Sequence, residues 1–200
     1  MLEVGNNVIN LREAPKFKQE KTALSSAEKG NIIHFIFEII DIDKLKTAEN
    51  LKSEIDNQIR EFIDKKMLKQ EEVDNIDINY IYNFFNSKIG KKLLNSKKIY
   101  RELPFNLALK AKDITEKWIN SEEEILVQGI IDLTFETEDG AMILVDYKTN
   151  HYNNEDEKKE LLKGFEVQLN YYKKAISTLL NKKVKHSYIY FLSKNEIEEV

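Results

Sequence analysis

Cysteine is missing from this 200-residue chain. Its absence excludes a disulfide scaffold, a thiol nucleophile and any iron–sulfur cluster held by the chain's own side chains. Proline occurs twice and glycine six times, too sparsely for a flexible linker or a low-complexity segment, and no internal repeat is visible. Long apolar runs are missing as well: Ile32 to Ile40 is interrupted by His34 and Glu38 and is too short to span a bilayer. The N-terminus has no signal-peptide core, so a cytoplasmic chain without membrane partners is expected. No G-x-x-x-x-G-K-[ST] loop occurs, which predicts no ATP site on this chain. An excess of positive charge is also lacking. The formal net charge of −4 argues against tight autonomous binding to nucleic acid, whose affinity comes largely from phosphate neutralisation.

What is present is enough for one globular domain over residues 1–200: 42% of residues are hydrophobic and 33% charged. The most informative stretch is Ile125 to Asn150, ILVQGIIDLTFETEDGAMILVDYKTN. Two runs of strand composition flank Glu138-Asp139-Gly140, predicting a β-hairpin with a three-residue loop and glycine in the left-handed position. Counting back from a Thr137–Ala141 pair sets Asp132 opposite Asp146, with Lys148 on the same face. Like charges so placed repel. A hard divalent cation such as Mg²⁺ offsets that repulsion, and Lys148 beside it orients an attacking water or balances charge on phosphate. The competing reading is a solvated hairpin edge.

Around this stretch the chain alternates helix and strand signals. Met1 to Glu20 reads as an extended lead-in. Ser25 to Glu28 has capping-box spacing and opens a largely buried helix that carries His34, either a satisfied core histidine or a ligand, with Glu38 one turn later. Thr47 to Leu68 is amphipathic at helical spacing, and Ile76 to Phe85 and Ile89 to Leu94 suggest two short helices. Tyr80, Tyr82, Phe84 and Phe85 fit either a core face or a base-stacking surface. From Lys88 to Arg101 six basic residues occur without an acid, a backbone-tracking patch or simply a solvated segment. Ile99 to Leu109 has strand composition, with Pro104 implying a sheet edge or bulge. A short strand at Trp118 and Ile119, a mobile loop from Asn150 to Glu160, a helix from Leu161 to Leu180 and a final strand from His186 to Leu192 complete the expectation. The order predicts an α/β domain, a central mixed sheet of about four or five strands flanked by helices.

Gly129-Ile130-Ile131-Asp132 followed by Asp146-Tyr147-Lys148-Thr149 resembles the paired motifs of the PD-(D/E)XK nucleases, within them the RecB-like domains found at the C-terminus of AddA subunits of bacterial AddAB helicase-nucleases. Three further motifs fall in the family's order: Gly30-x-x-x-His34, the Glu102-Leu103-Pro104-Phe105 strand, and Gln168-Leu169-x-x-Tyr172. The likeness runs from about Pro15 to Val200. It implies a restriction-endonuclease-like core and Mg²⁺- or Mn²⁺-dependent hydrolysis of DNA, exonucleolytic and in the service of double-strand break repair and recombination.

Under that resemblance His34, Asp132 and Asp146 bind the metal with the Tyr147 carbonyl, Asp132, Asp146 and Lys148 are catalytic, Gln168 orients Lys148 or a phosphate, and Tyr172 contacts the strand. Glu102 either reaches the metal through water or pairs with a lysine. The implied partners are DNA, a helicase region in the same protein and an AddB-type subunit. Several RecB-like nucleases carry a four-cysteine cluster, which this chain cannot hold. Asn150 stands where many relatives have Asp. Two other functions compete: a catalytically silent scaffold for DNA or a partner, and a stand-alone nuclease acting on RNA.

Overall fold

A computed structural model describes residues 24–114 and 122–200, together with the backbone of two short N-terminal strands. These strands, β1 (Glu3–Gly5) and β2 (Val8–Asn10), pair antiparallel inside the expected lead-in. Helices follow: α1 (Ser26–Ile39), α2 (Ile42–Thr47), α3 (Leu51–Asp64), α4 (Gln70–Asp74), α5 (Asn79–Asn86) and α6 (Lys88–Leu94). Then come the long strands β3 (Lys98–Lys110) and β4 (Glu124–Glu136), the strand β5 (Met142–Lys148), the 26-residue helix α7 (Glu155–Leu180), and β6 (Val184–Phe191) with β7 (Glu196–Glu199). The predicted strand at Trp118 and Ile119 lies outside the described residues.

The first helix begins where its capping box predicts. Ser25 Oγ accepts from the Glu28 amide at 3.2 Å, and the Glu28 carboxylate accepts from the Ser25 amide at 2.8 Å. The hairpin closes as its residues dictate: the Thr137 amide donates to Ala141 across Glu138-Asp139-Gly140, and Gly140 sits at φ +83°. Leu133 pairs with Val145 and Glu136 with Met142, the register expected from the loop.

Five strands, β3 to β7, form the body of the sheet, and the β1–β2 pair extends it to seven. β4 is its hub. Along one edge it pairs antiparallel with β3 over its whole length. The other edge is shared: β2 runs parallel to Leu126–Gln128, and β5 runs antiparallel to Leu133–Glu136. Between them Gly129-Ile130-Ile131-Asp132 has no strand partner on that edge among the described residues, so the sheet forks there. β5 then pairs parallel with β6, and α7 makes the crossover that a parallel pair requires.

Two cores flank the sheet. Helices α1 to α6 cover Leu133, Phe135, Ile143, Val145 and Tyr147, and α7 covers Phe105, Val127, Ile131, Leu144 and Phe191. Phe84 and Phe85 are fully buried in the first and Tyr82 is nearly so, which makes the aromatic cluster core rather than a base-stacking surface. Ile131 and Leu133, two apart on one strand, belong to opposite cores. Strand alternation is therefore broken at Asp132. Directly across the ladder, Glu102 takes φ +46°, a left-handed conformation rare for a non-glycine residue, and drops out of the register that Arg101 and Leu103 keep.

Two boundaries differ from expectation. The helix expected from Leu161 begins six residues earlier, because the Asn154 side chain caps it by accepting from the Glu157 amide at 2.9 Å. The loop after Lys148 is correspondingly short. After β6 the chain does not stop but turns at Asn195 (φ +52°) into β7.

Candidate active site

The fork in the sheet creates the site. Past Leu133–Val145 the two strands of the hairpin separate, and Asp132 fills the place of a ladder bond by accepting the Tyr147 amide on Oδ2 at 2.9 Å. The next strand position then carries Asp146, and Lys148 follows on the same side. Helix α1 lies over the opening. Gly30 permits the approach: a Cβ there would stand 3.1 Å from Thr149 Oγ1. Phe37 stacks on the Tyr147 ring at 4.3 Å, and His34, one turn earlier, meets the same ring edge-on at 5.8 Å. The helix is thereby clamped with its imidazole facing the carboxylates.

Three side chains from three elements meet there. His34 Nδ1 lies 3.6 Å from Asp132 Oδ1 and 3.8 Å from Glu102 Oε1. Ligand atoms of His34, Glu102 and Asp132 all fall within 4.8 Å of one another, the metal-competent trio among the described residues. Burial disfavours the imidazolium, but the charges of Asp132, Glu102 and Asp146 outweigh it, so the His34 pKa is raised.

Asp146 is 1% exposed. Burial dominates its ionisation and, with Asp132 adding repulsion against the pull of Lys148 and His34, pushes its pKa up to about 6. Its Oδ2 is 2.7 Å from Lys148 Nζ as an ion pair, yet has no partner of hydrogen-bond geometry. His34, Glu102 and Asp132, with the buried Asp146 carboxylate beside them ion-paired to Lys148, make a carboxylate-rich donor set that suits a divalent cation. The residues present fit such an ion.

Lys148 is held from α7. Gln168 Oε1 accepts from its Nζ at 2.9 Å, and the Gln168 amide nitrogen donates to Tyr172 at 2.8 Å. Phe165, on the same helix face, places its ring centroid 4.7 Å from that Nζ. Arg101, the last of the basic run, turns inward from β3 and donates to the carbonyls of Phe37 and Ile40 at the end of α1, at 3.0 and 2.5 Å. Lys88, Lys91, Lys92, Lys97 and Lys98 remain exposed.

Each site residue singled out in the sequence lies among the described residues. His34, Asp132, Asp146, Lys148 and Gln168 converge. Glu102 stands closer to the centre than its motif alone suggests, because its unusual backbone conformation aims it at His34. Tyr172 is 3% exposed, packed against Phe105, and its hydroxyl accepts from the Gln168 amide nitrogen. Glu38 is exposed and contributes its charge to the surroundings of Arg101, away from the carboxylate cluster. Phe165 joins the site without having been marked by sequence, its one signal being that it precedes Gln168 by three, and Arg101 was marked only as the end of the basic run.

Residues 6–200 match the family model described as the PD-(D/E)XK nuclease superfamily. The chain belongs to this superfamily. Within it, the chain is similar to proteins named as the A-type subunits of ATP-dependent helicase/nucleases. It is 37% identical over 191 residues to that of Thermoanaerobacter sp. (strain X514), covering 94% of this chain and 15% of the relative. The relative from Clostridium novyi (strain NT) is 36% identical over 192 residues, with 94% and 15% covered. For Syntrophomonas wolfei the figures are 36% over 199 residues, 97% and 16%. The chain thus spans about 15% of the length of these relatives. For a PD-(D/E)XK nuclease the fold is the expected one, an α/β domain with a mixed sheet between helices. Among the described residues no helix is long and apolar enough to cross a membrane.

Proposed function

We propose that this chain is the nuclease part of an AddAB-type helicase-nuclease, hydrolysing phosphodiester bonds of DNA with Mg²⁺ or Mn²⁺ during double-strand break repair and recombination. One observation carries the reading: His34, Glu102 and Asp132 meet from a helix and two strands beside Asp146 and Lys148. A solvated surface cluster would not bury Asp146 or bend the backbone at Glu102.

His34, Glu102, Asp132 and Asp146 would hold the ion, joined by the Tyr147 carbonyl. Bound there, a divalent ion supplies a Lewis acid that lowers the pKa of a coordinated water and offsets phosphate charge. Asp132 is fixed for its task by the Tyr147 amide. Lys148, steadied by Gln168 and Asp146, directs the water oxygen at phosphorus and balances charge on a non-bridging oxygen while the bond to the 3′ oxygen breaks. The negative net charge fits a domain to which a helicase region of the same protein delivers the strand, with an AddB-type partner beside it. Exonucleolytic action follows from such delivery at an end.

The test is cleavage of labelled single-stranded DNA, duplex DNA and RNA, with Mg²⁺ or Mn²⁺, by the wild type, Asp132→Ala and Lys148→Ala. Cutting of linear but not circular DNA, lost by roughly 100-fold or more in both folded variants, is expected. RNA cleavage alone would reassign the substrate. Inactivity of the wild type on every substrate, with DNA binding retained, would make the domain a scaffold.

A further inference from the structure

We infer that Phe165 is a positioning residue for Lys148, its ring forming the wall that holds the ammonium in line with Asp146 and Gln168. The inference rests on Lys148 serving the reaction as proposed above. Lysine is a point charge on a flexible four-carbon stem, so its direction must be set by what surrounds it. Two contacts come from oxygens, Asp146 Oδ2 at 2.7 Å and Gln168 Oε1 at 2.9 Å. A third side is covered by the face of Phe165, with Nζ 4.7 Å from the ring centroid. An aromatic face attracts a cation through its quadrupole but presents no lone pair of the kind that binds a proton or a metal. It therefore restrains the ammonium without competing for the water or phosphate that Lys148 must reach.

The ring is itself held. Phe165 and Gln168 are three apart on α7 and share a face, so one helix grips Lys148 by two different means. Phe165 also meets Phe191, with tilted rings and centroids 6.3 Å apart, and Phe191 is the ladder partner of Lys148 in β6. The lysine's neighbouring strand thus touches the ring that faces its ammonium. Phe165 is only partly buried, at the margin of the core beneath α7. A leucine would fill much of the same apolar space but lack the quadrupole, which separates positioning from packing.

The experiment replaces Phe165 site-specifically in the full 200-residue chain with 4-fluoro-, 3,5-difluoro- and 3,4,5-trifluorophenylalanine. Phe165→Leu, Phe165→Tyr and Lys148→Ala are made beside them. The readouts are kcat and KM on a single-stranded oligodeoxynucleotide with Mg²⁺, together with Mn²⁺ affinity by calorimetric titration. Fluorination drains the ring face with little change of shape, so kcat should fall stepwise along the series. Phe165→Leu should lose roughly 5- to 30-fold in kcat, with KM and Mn²⁺ affinity held within about 2-fold, and Phe165→Tyr should recover most of the rate. A flat fluorination series, or a leucine variant as fast as wild type, overturns the proposal while an inactive Lys148→Ala leaves the catalytic reading intact. A fully active Lys148→Ala overturns both.

Discussion

Asp146 and Lys148 lie 2.7 Å apart, the carboxylate 1% exposed and the lysine supplying the cation that contacts it. Without a divalent ion this is an unfavourable place for a carboxylate, since burial and Asp132 raise its pKa to about 6 from an ordinary 3.8. A raised folded-state pKa favours the protonated form. Its contribution to stability is complete below the ordinary carboxylate range near pH 3.8 and is lost as the pH rises through about 6. His34, also raised, runs in the same direction at higher pH. Metal and proton then compete for the same atoms. Mn²⁺ affinity should weaken steeply below pH 6, and the rise in Tm on adding Mn²⁺ should be larger at about pH 8 than at about pH 5.5. Titration calorimetry and thermal melts across that range check both; a pH-independent affinity would remove these groups from the site.

Arg101 joins the two elements that carry His34 and Glu102. Its guanidinium satisfies carbonyls at the end of α1, where a helix leaves acceptors unpaired, even though burial lowers its pKa. Arg101→Ala should destabilise the chain by about 2–3 kcal/mol in urea unfolding, since charged hydrogen bonds to buried carbonyls are lost. Arg101→Lys should recover only part, because one ammonium cannot copy the planar fork.

Gly30 is a test of how closely α1 must sit. Alanine is worth up to about 1 kcal/mol more than glycine in a helix, but its Cβ would stand 3.1 Å from Thr149 Oγ1. The two effects should nearly cancel in stability. Activity should fall several-fold all the same, as a shift of α1 carries His34 away from Asp132. Thr149→Ala, which removes the atoms that a Cβ would meet, should restore the rate of Gly30→Ala. Failure of that double variant to recover would mean that the helix position is not what alanine disturbs.

Much of this site is written in local periodicities. The loop at Glu138 to Gly140 sets the register as far as Leu133 and Val145, and period two along β5 puts Asp146 and Lys148 on one side. The expected Asp132–Asp146 ladder pair does not form, because alternation breaks at Asp132, whose carboxylate accepts the Tyr147 amide instead. Ser25 and Glu28 start the helix that brings His34 within reach. What escaped the sequence is what periodicity does not encode. The prominence of Glu102 comes from one left-handed residue that interrupts a strand, and nothing in Arg-Glu-Leu-Pro marks that conformation. Arg101 reads as part of a basic run because sequence shows charge but not direction. Tyr172 shares a helical face with Gln168 as expected, but its depth was not legible, because depth depends on Phe105 from a distant strand.

The role of Tyr172 is open to measurement. Tyr172 gives Gln168 a fixed hydrogen-bond partner, and Gln168 in turn accepts from Lys148, so the three form a chain in which each link orients the next. If Tyr172 acted on the substrate directly, its removal and that of Gln168 would lower the rate independently, and the losses would multiply. If it acts only through Gln168, Tyr172→Phe should cost roughly 2- to 5-fold in kcat and Gln168→Ala about 10-fold, while the double variant should be no slower than Gln168→Ala alone. KM should stay within about 2-fold throughout, because neither side chain is then a strand contact. A double-mutant cycle measured with Mg²⁺ on one oligodeoxynucleotide decides the matter: multiplicative losses with a raised KM would return Tyr172 to the nucleic-acid surface.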